Sequence, residues 1–154
     1  MKLYHGTTSD FIVPDLSKGH ENTDFGVGFY LTDKESMAKN WKKGHPNNHV
    51  NVYELTLANI ETGKLHIKRF ENANIEWAKF VYNNRKGKNK KSRYDLIIGP
   101  LADNGLEYWF TRLEKGEIDW DDLAKGIEFN KFQSLQFCFI KQNAIKLLEY
   151  AERK

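Results

Sequence analysis

Short apolar runs alternate with polar stretches along the chain, and the period of each run predicts an element. Residues 2–4 read as a brief strand, and residues 9–22 as a polar loop broken by Pro14 and Gly19, with Phe11, Ile12, Val13 and Leu16 as anchors onto the core. Residues 29–31 predict a second strand. Thr32-x-x-Glu35 then matches a capping box, and Met37, Ala38 and Trp41 follow at helical spacing until Gly44-His45-Pro46 ends the helix. Residues 49–57 and 64–70 alternate with period two and predict strands. In 74–83, Ile75, Trp77, Ala78, Val81 and Tyr82 gather on or near one helical face. Residues 94–101, centred on Leu96-Ile97-Ile98, are the clearest buried strand. Helices are expected over 106–114 and 120–126, a core strand over 134–140 and a closing helix over 142–152. Strands and helices mix without regular βαβ alternation, which predicts an α+β fold, and 154 residues are the size of one domain spanning 1–154.

Composition narrows the picture. Apolar content of 40% and aromatic content of 14% supply a core, so a disordered chain is excluded. The balance of 24 Lys+Arg against 21 Asp+Glu gives +3, too mild to imply nucleic acid by itself. The single cysteine, Cys138, excludes an internal disulfide and lies in an apolar run, where a buried, inert thiol is expected. No signal peptide or membrane-length apolar stretch is present, so a soluble, cytoplasmic protein without a membrane partner is expected. His20, His45, His49 and His66 lack metal-ligand spacing; they are expected to face solvent, and no metal is expected.

Two segments carry candidate chemistry. In Leu3-Tyr4-His5-Gly6-Thr7 a strand delivers His5 next to a glycine whose backbone a ligand could approach. In Phe25-Gly26-Val27-Gly28-Phe29-Tyr30-Leu31-Thr32, glycines flank Val27 and release the chain into Phe29-Tyr30, an aromatic face on which flat rings could stack. Together they suggest a nucleotide pocket.

These segments, the second taken from Asp24 to Thr32, with 94–103 and the Gln136-Phe137 region, resemble the ADP-ribosyltransferase superfamily in its His-Tyr-Glu branch, which includes diphtheria-toxin-like enzymes and poly(ADP-ribose) polymerases. The bacterial set designated domain of unknown function 3990 (DUF3990) is the nearest likeness, over nearly the whole chain. The resemblance implies a split mixed β-sheet core flanked by helices, and mono-ADP-ribosyl transfer from NAD to a protein or nucleic-acid acceptor. It also implies a toxin of a bacterial toxin–antitoxin pair, with an antitoxin as partner. By that likeness His5 bonds the adenosine ribose, Gly6 holds the nicotinamide carboxamide, Thr7 adds a hydroxyl, and Tyr30, following Gly28-Phe29, stacks on nicotinamide.

Where the superfamily's active members carry a glutamate, this chain has Gln136. Glutamine accepts a hydrogen bond from a ribose hydroxyl but lacks the charge that stabilises an oxocarbenium-like transition state. Three readings stay open: Gln136 suffices, a carboxylate such as Asp103, Glu107 or Glu54 takes the charge role, or the domain only binds NAD, ADP-ribose or a partner. An RNA 2′-phosphotransferase, which shares the fold and NAD use, is a further reading. The stretch 85–93 holds Arg85, Lys86, Lys88, Lys90, Lys91 and Arg93 with no apolar residue. Without interleaved aromatics it reads as a solvated loop, with phosphate or nucleic-acid contact as the sharper alternative and Arg85 as a candidate for the NAD pyrophosphate. Asp103-Asn104-Gly105 reads as a turn opening the next helix, near the cleft rim.

Overall fold

The computed structural model describes residues 1–89, 91–102, 105–128 and 134–154. Among them, seven strands form one mixed sheet: β1 (Lys2–Thr7), β2 (Phe29–Thr32), β3 (His49–Leu55), β4 (Ile67–Arg69), β5 (Leu96–Pro100), β6 (Leu135–Phe139) and β7 (Leu148–Arg153). Their order is β4-β5-β6-β2-β1-β3-β7, with β4 and β5 parallel and every other neighbouring pair antiparallel. Six α-helices are described: α1 (Glu35–Lys39), α2 (Leu57–Ile60), α3 (Ile75–Arg85), α4 (Leu106–Glu114), α5 (Trp120–Glu128) and α6 (Gln142–Ile145).

Side chains alternate across the sheet, so each strand feeds two cores. On the first face, Leu3, Phe29, Leu31, Tyr53, Phe137 and Phe139 pack with Ile60 of α2, Ala144 and Ile145 of α6, and Phe11 and Leu16 from the loop after β1. On the second face, Ile97 and Cys138 meet Trp77, Ala78 and Val81 of α3, Leu106 and Phe110 of α4, and Leu123 and Ile127 of α5. Ala38 of α1 covers Val50 and Val52 on that same side. Helix α3 starts where the Asn74 side chain accepts a hydrogen bond from Trp77 N–H, 3.0 Å away, satisfying an amide that the first turn leaves open.

Several elements depart from expectation. The 142–152 segment is not a closing helix: α6 is a single turn, and the chain then pairs with β3 as β7. Its period of two, with Leu148 and Tyr150 against the core, fits a strand, and β3 would otherwise keep an open edge of unpaired amides and carbonyls. The capping box does not form. The N-cap of α1 is Lys34, without a side-chain bond, and Thr32 Oγ1 accepts instead from Lys34 N–H at 3.3 Å. Helix α1 is short, leaving Met37 and Trp41 exposed. The strand expected over 49–57 ends at Leu55, with α2 following, and that expected over 64–70 narrows to β4. Of the loop anchors, Phe11 and Leu16 reach the core, whereas Ile12 and Val13 face solvent.

Candidate functional site

The centre of the sheet is incompletely zipped. β1 and β2 share only the pair Tyr4↔Thr32. Continued in the same register, the ladder would set Gly6 opposite Tyr30. Instead the His5 ring enters the opening, and its Nδ1 lies 2.7 Å from the Tyr30 carbonyl oxygen. A carbonyl only accepts, so Nδ1 carries the proton. Burial pushes the His5 pKa below its ordinary value, against the pull of the Tyr30 carbonyl, and the nearby His49 adds to the lowering. The ring is therefore neutral near pH 7, and Nε2 is left as an acceptor with no hydrogen-bond partner among the described residues. Phe29 and Phe11 flank the ring at centroid distances of 4.4 Å and 5.7 Å.

Parity sends Tyr30 and Gln136 to the opposite face. Thr32 pairs with Gln136 and Tyr30 with Cys138, so all four side chains point to the second face, while His5 shares the first face with Phe29. The expected His5–Tyr30–Gln136 constellation is thus divided by the sheet: Tyr30 and Gln136 stand together, and His5 reaches them only through the Tyr30 carbonyl.

The Tyr30 hydroxyl is fully engaged. It accepts from Phe25 N–H at 2.9 Å, donates to the Gly26 carbonyl at 2.6 Å and lies 3.0 Å from Thr23 Oγ1, fastening the 23–26 loop over the core. Burial, with Cys138 beside it, drives the phenol pKa far above its usual value, so it stays protonated.

Gln136, almost fully buried, donates through Nε2 to Asp24 Oδ2 at 3.2 Å and to the Pro100 carbonyl at 3.3 Å. Both partners accept only, which fixes the amide orientation. Its Oε1 has no hydrogen-bond partner among the described residues. The other Asp24 oxygen accepts from Arg85 Nε at 2.7 Å, and Arg85 Nη1 lies 3.8 Å from Glu107. The second face thus holds a chain of charge, Glu107–Arg85–Asp24, ending on the Gln136 amide.

Sequence reasoning did not anticipate Asp24, although Asp24 opens the string that carries the resemblance. It also left Arg85 free for a pyrophosphate, whereas Arg85 is committed to Asp24 and Glu107 and lies over the Phe110 ring. Among the other carboxylates considered, Glu54 is exposed on β3 opposite Lys2, and Asp103 lies, with Asn104, outside the described residues.

The two glycines serve close packing here. A Cβ on Gly6 would stand 2.1 Å from the Ala38 carbonyl oxygen and 2.8 Å from Trp41 Cβ, so the end of α1 occupies the approach expected for a ligand. A Cβ on Gly28 would lie 2.6 Å from Cys138 Sγ. Phe29 is a core side chain rather than an open stacking face, and buried Thr7 uses Oγ1 to accept from Ser9 N–H at 3.1 Å. Cys138 is buried, and desolvation pushes its thiol up to about 12, which leaves it un-ionised and inert. His20, His45 and His66 are exposed. His49 departs from expectation: it is half-buried, its Nδ1 donates to the Asn47 carbonyl at 2.9 Å, and its Nε2 is buried without a partner.

A family described as "Protein of unknown function (DUF3990)" matches residues 1–150. The chain belongs to that family. No curated protein and no solved structure matches it. No helix among the described residues is long and apolar enough to cross a membrane.

Proposed function

We propose that the chain is an NAD-dependent mono-ADP-ribosyltransferase whose site is the opening between β1 and β2, with His5 on the first face, together with the Gln136 amide across the sheet on the second. The observation that carries this reading is a pair of oriented acceptors without a hydrogen-bond partner among the described residues, on the two strands that flank β2: neutral His5 Nε2 on β1 and Gln136 Oε1 on β6. Ribose hydroxyls are donors that such acceptors take, and NAD carries two riboses. The split sheet between β1 and β2 fits the ADP-ribosyltransferase-like architecture that the sequence resembles.

In the reaction, the bond between nicotinamide and the ribose anomeric carbon breaks, nicotinamide leaves with the bonding pair, and an acceptor nucleophile bonds to that carbon and releases its proton. Gln136 Oε1 would hold the nicotinamide-ribose hydroxyl. Asp24, one amide away, would supply negative potential toward the developing cation, reduced by its pairing with Arg85. Opening of the α1 end from Gly6 would admit the carboxamide.

A second reading, a binding domain without catalysis, is favoured by one specific observation: the amide stands where a carboxylate is needed, and the nearest carboxylate is already neutralised by Arg85. Incubation of the chain with NAD and cell lysate separates the two. Released nicotinamide and an added ADP-ribose mass, both absent in His5→Ala, support transfer. NAD binding by calorimetry without nicotinamide release selects the binding domain. A toxin role predicts that expression arrests bacterial growth and that His5→Ala restores it.

A further inference from the structure

A groove of about 1080 Å³ lies on the second face between the 21–27 loop, α3 and the basic segment after it. It contains none of His5, Tyr30 or Gln136, but Phe25 and Gly26 line it, and these are the residues whose backbone groups the Tyr30 hydroxyl holds. It therefore runs alongside the candidate site, across one short loop.

Its walls combine three kinds of group. Lys91 and Arg93 are exposed and make no ion pair among the described residues, whereas their neighbours Arg85 and Lys86 are committed to Asp24 with Glu107 and to Glu114. Phe80 of α3 and Tyr94 are half-buried rings, and the Arg93 guanidinium lies over the Tyr94 ring at 5.4 Å. The amides of Asn22, Asn83 and Asn89 line the remainder. The sequence shows a basic run without interleaved aromatics; the fold supplies Phe80 from another element and sets the rings beside the cations.

We propose that this groove binds single-stranded nucleic acid. Two free cations suit backbone phosphates, and ring faces accept unpaired bases by stacking. Side-chain amides bond base edges, and Glu21 can accept from base amino groups, whereas Glu76 is committed to Lys68. A duplex keeps its base faces stacked inside and leaves the rings unused. An acidic peptide offers only carboxylates and leaves the rings and the side-chain amides without partners. The inference stands whether or not the chain cleaves NAD, because it concerns binding in the absence of NAD.

The test is fluorescence anisotropy of the full chain with labelled mixed-sequence 12-nucleotide DNA and RNA strands, the matching duplex, and a polyglutamate peptide, without NAD. Single strands are expected to bind at low salt, with affinity falling on a log–log salt slope of about −1.4 for two phosphate contacts. Lys91→Gln/Arg93→Gln is expected to weaken binding at least tenfold and flatten that slope. Tyr94→Leu is expected to weaken it several-fold with the slope unchanged. All positions altered are exposed or half-buried, and an unchanged circular-dichroism spectrum verifies the fold. Equal binding by the double variant, equal or tighter binding of duplex or polyglutamate, or no strand binding at low salt would overturn the proposal.

Discussion

On one face of β2, His5 stands among phenylalanine rings with a single hydrogen bond among the described residues; on the other, Tyr30, Gln136, Asp24 and Arg85 are tied into loops and ion pairs. Both arrangements leave one oriented acceptor open, but they reach it differently. His5 is oriented by shape and one carbonyl, so its neutrality depends on burial. Gln136 is oriented by acceptors that charge neighbours hold in place, so its orientation depends on Asp24. The first site is sensitive to packing and pH, the second to charge.

The largest effect expected is from Asp24→Ala. It strips Arg85 and the Gln136 amide of their shared partner in a largely buried position, and urea melts should show a loss of about 3 kcal/mol. A loss like that of an exposed pair, under about 1 kcal/mol, would break the view that charge holds the second face.

Gln136→Glu comes next. The new carboxyl would face Asp24 Oδ2 and the Pro100 carbonyl, both acceptors, with no donor for its own charge. Its pKa in the fold should rise above the unfolded value of about 4.3, so the native state holds the extra proton and stability falls as pH rises through that window. We expect the variant to trail the native chain by about 2 kcal/mol at pH 8 and to recover toward pH 5. No gain in nicotinamide release is expected from it alone. Adding Asp24→Asn, which gives the new carboxylate a donor and frees Arg85, should restore stability and is the background in which release increases. A pH-independent stability difference would sink this account.

His5→Ala should cost about 1–2 kcal/mol through one hydrogen bond and lost ring packing, while abolishing nicotinamide release. Loss of stability with release intact would move the site away from His5. The smallest effect is on pH dependence. Because burial holds the His5 pKa below 6.5, the unfolded chain binds the proton first as pH falls. The stability contributed by neutral His5 is complete above that value and is lost on acidification through the window below it. His5→Gln should therefore show a shallower loss of stability between pH 7 and pH 5 in parallel urea melts. Identical slopes would mean that the ring titrates freely.

Much of this was legible from the chain, and the misses have identifiable causes. The helices α3 and α4 announced themselves because each packs on one core with helical period, and the strands β5 and β6 because both of their faces are buried and give continuous apolar runs. The final segment misled because 142–152 carries apolar residues compatible with two periods, and only the open edge of β3 decides for a strand. Gly6 was read as a ligand approach, and Gly28 as releasing the chain into an aromatic face, because sequence shows that a Cβ is missing without showing what fills its place; Ala38 and Cys138 do. Asp24 was overlooked because its partners, Arg85 and Gln136, are far away along the chain.

The amino-acid sequence by itself determined the α+β class, most of the elements and the candidate residues, since these follow from local period and residue type. Tertiary structure decided which candidates meet. Strand parity placed His5 on one face and Tyr30 with Gln136 on the other, and the fold brought Asp24 and Arg85 to Gln136 and Phe80 to the basic segment. Side-chain direction in a strand is set by pairing register, and contacts between distant segments are set by how elements pack, so neither is written in any single stretch of residues.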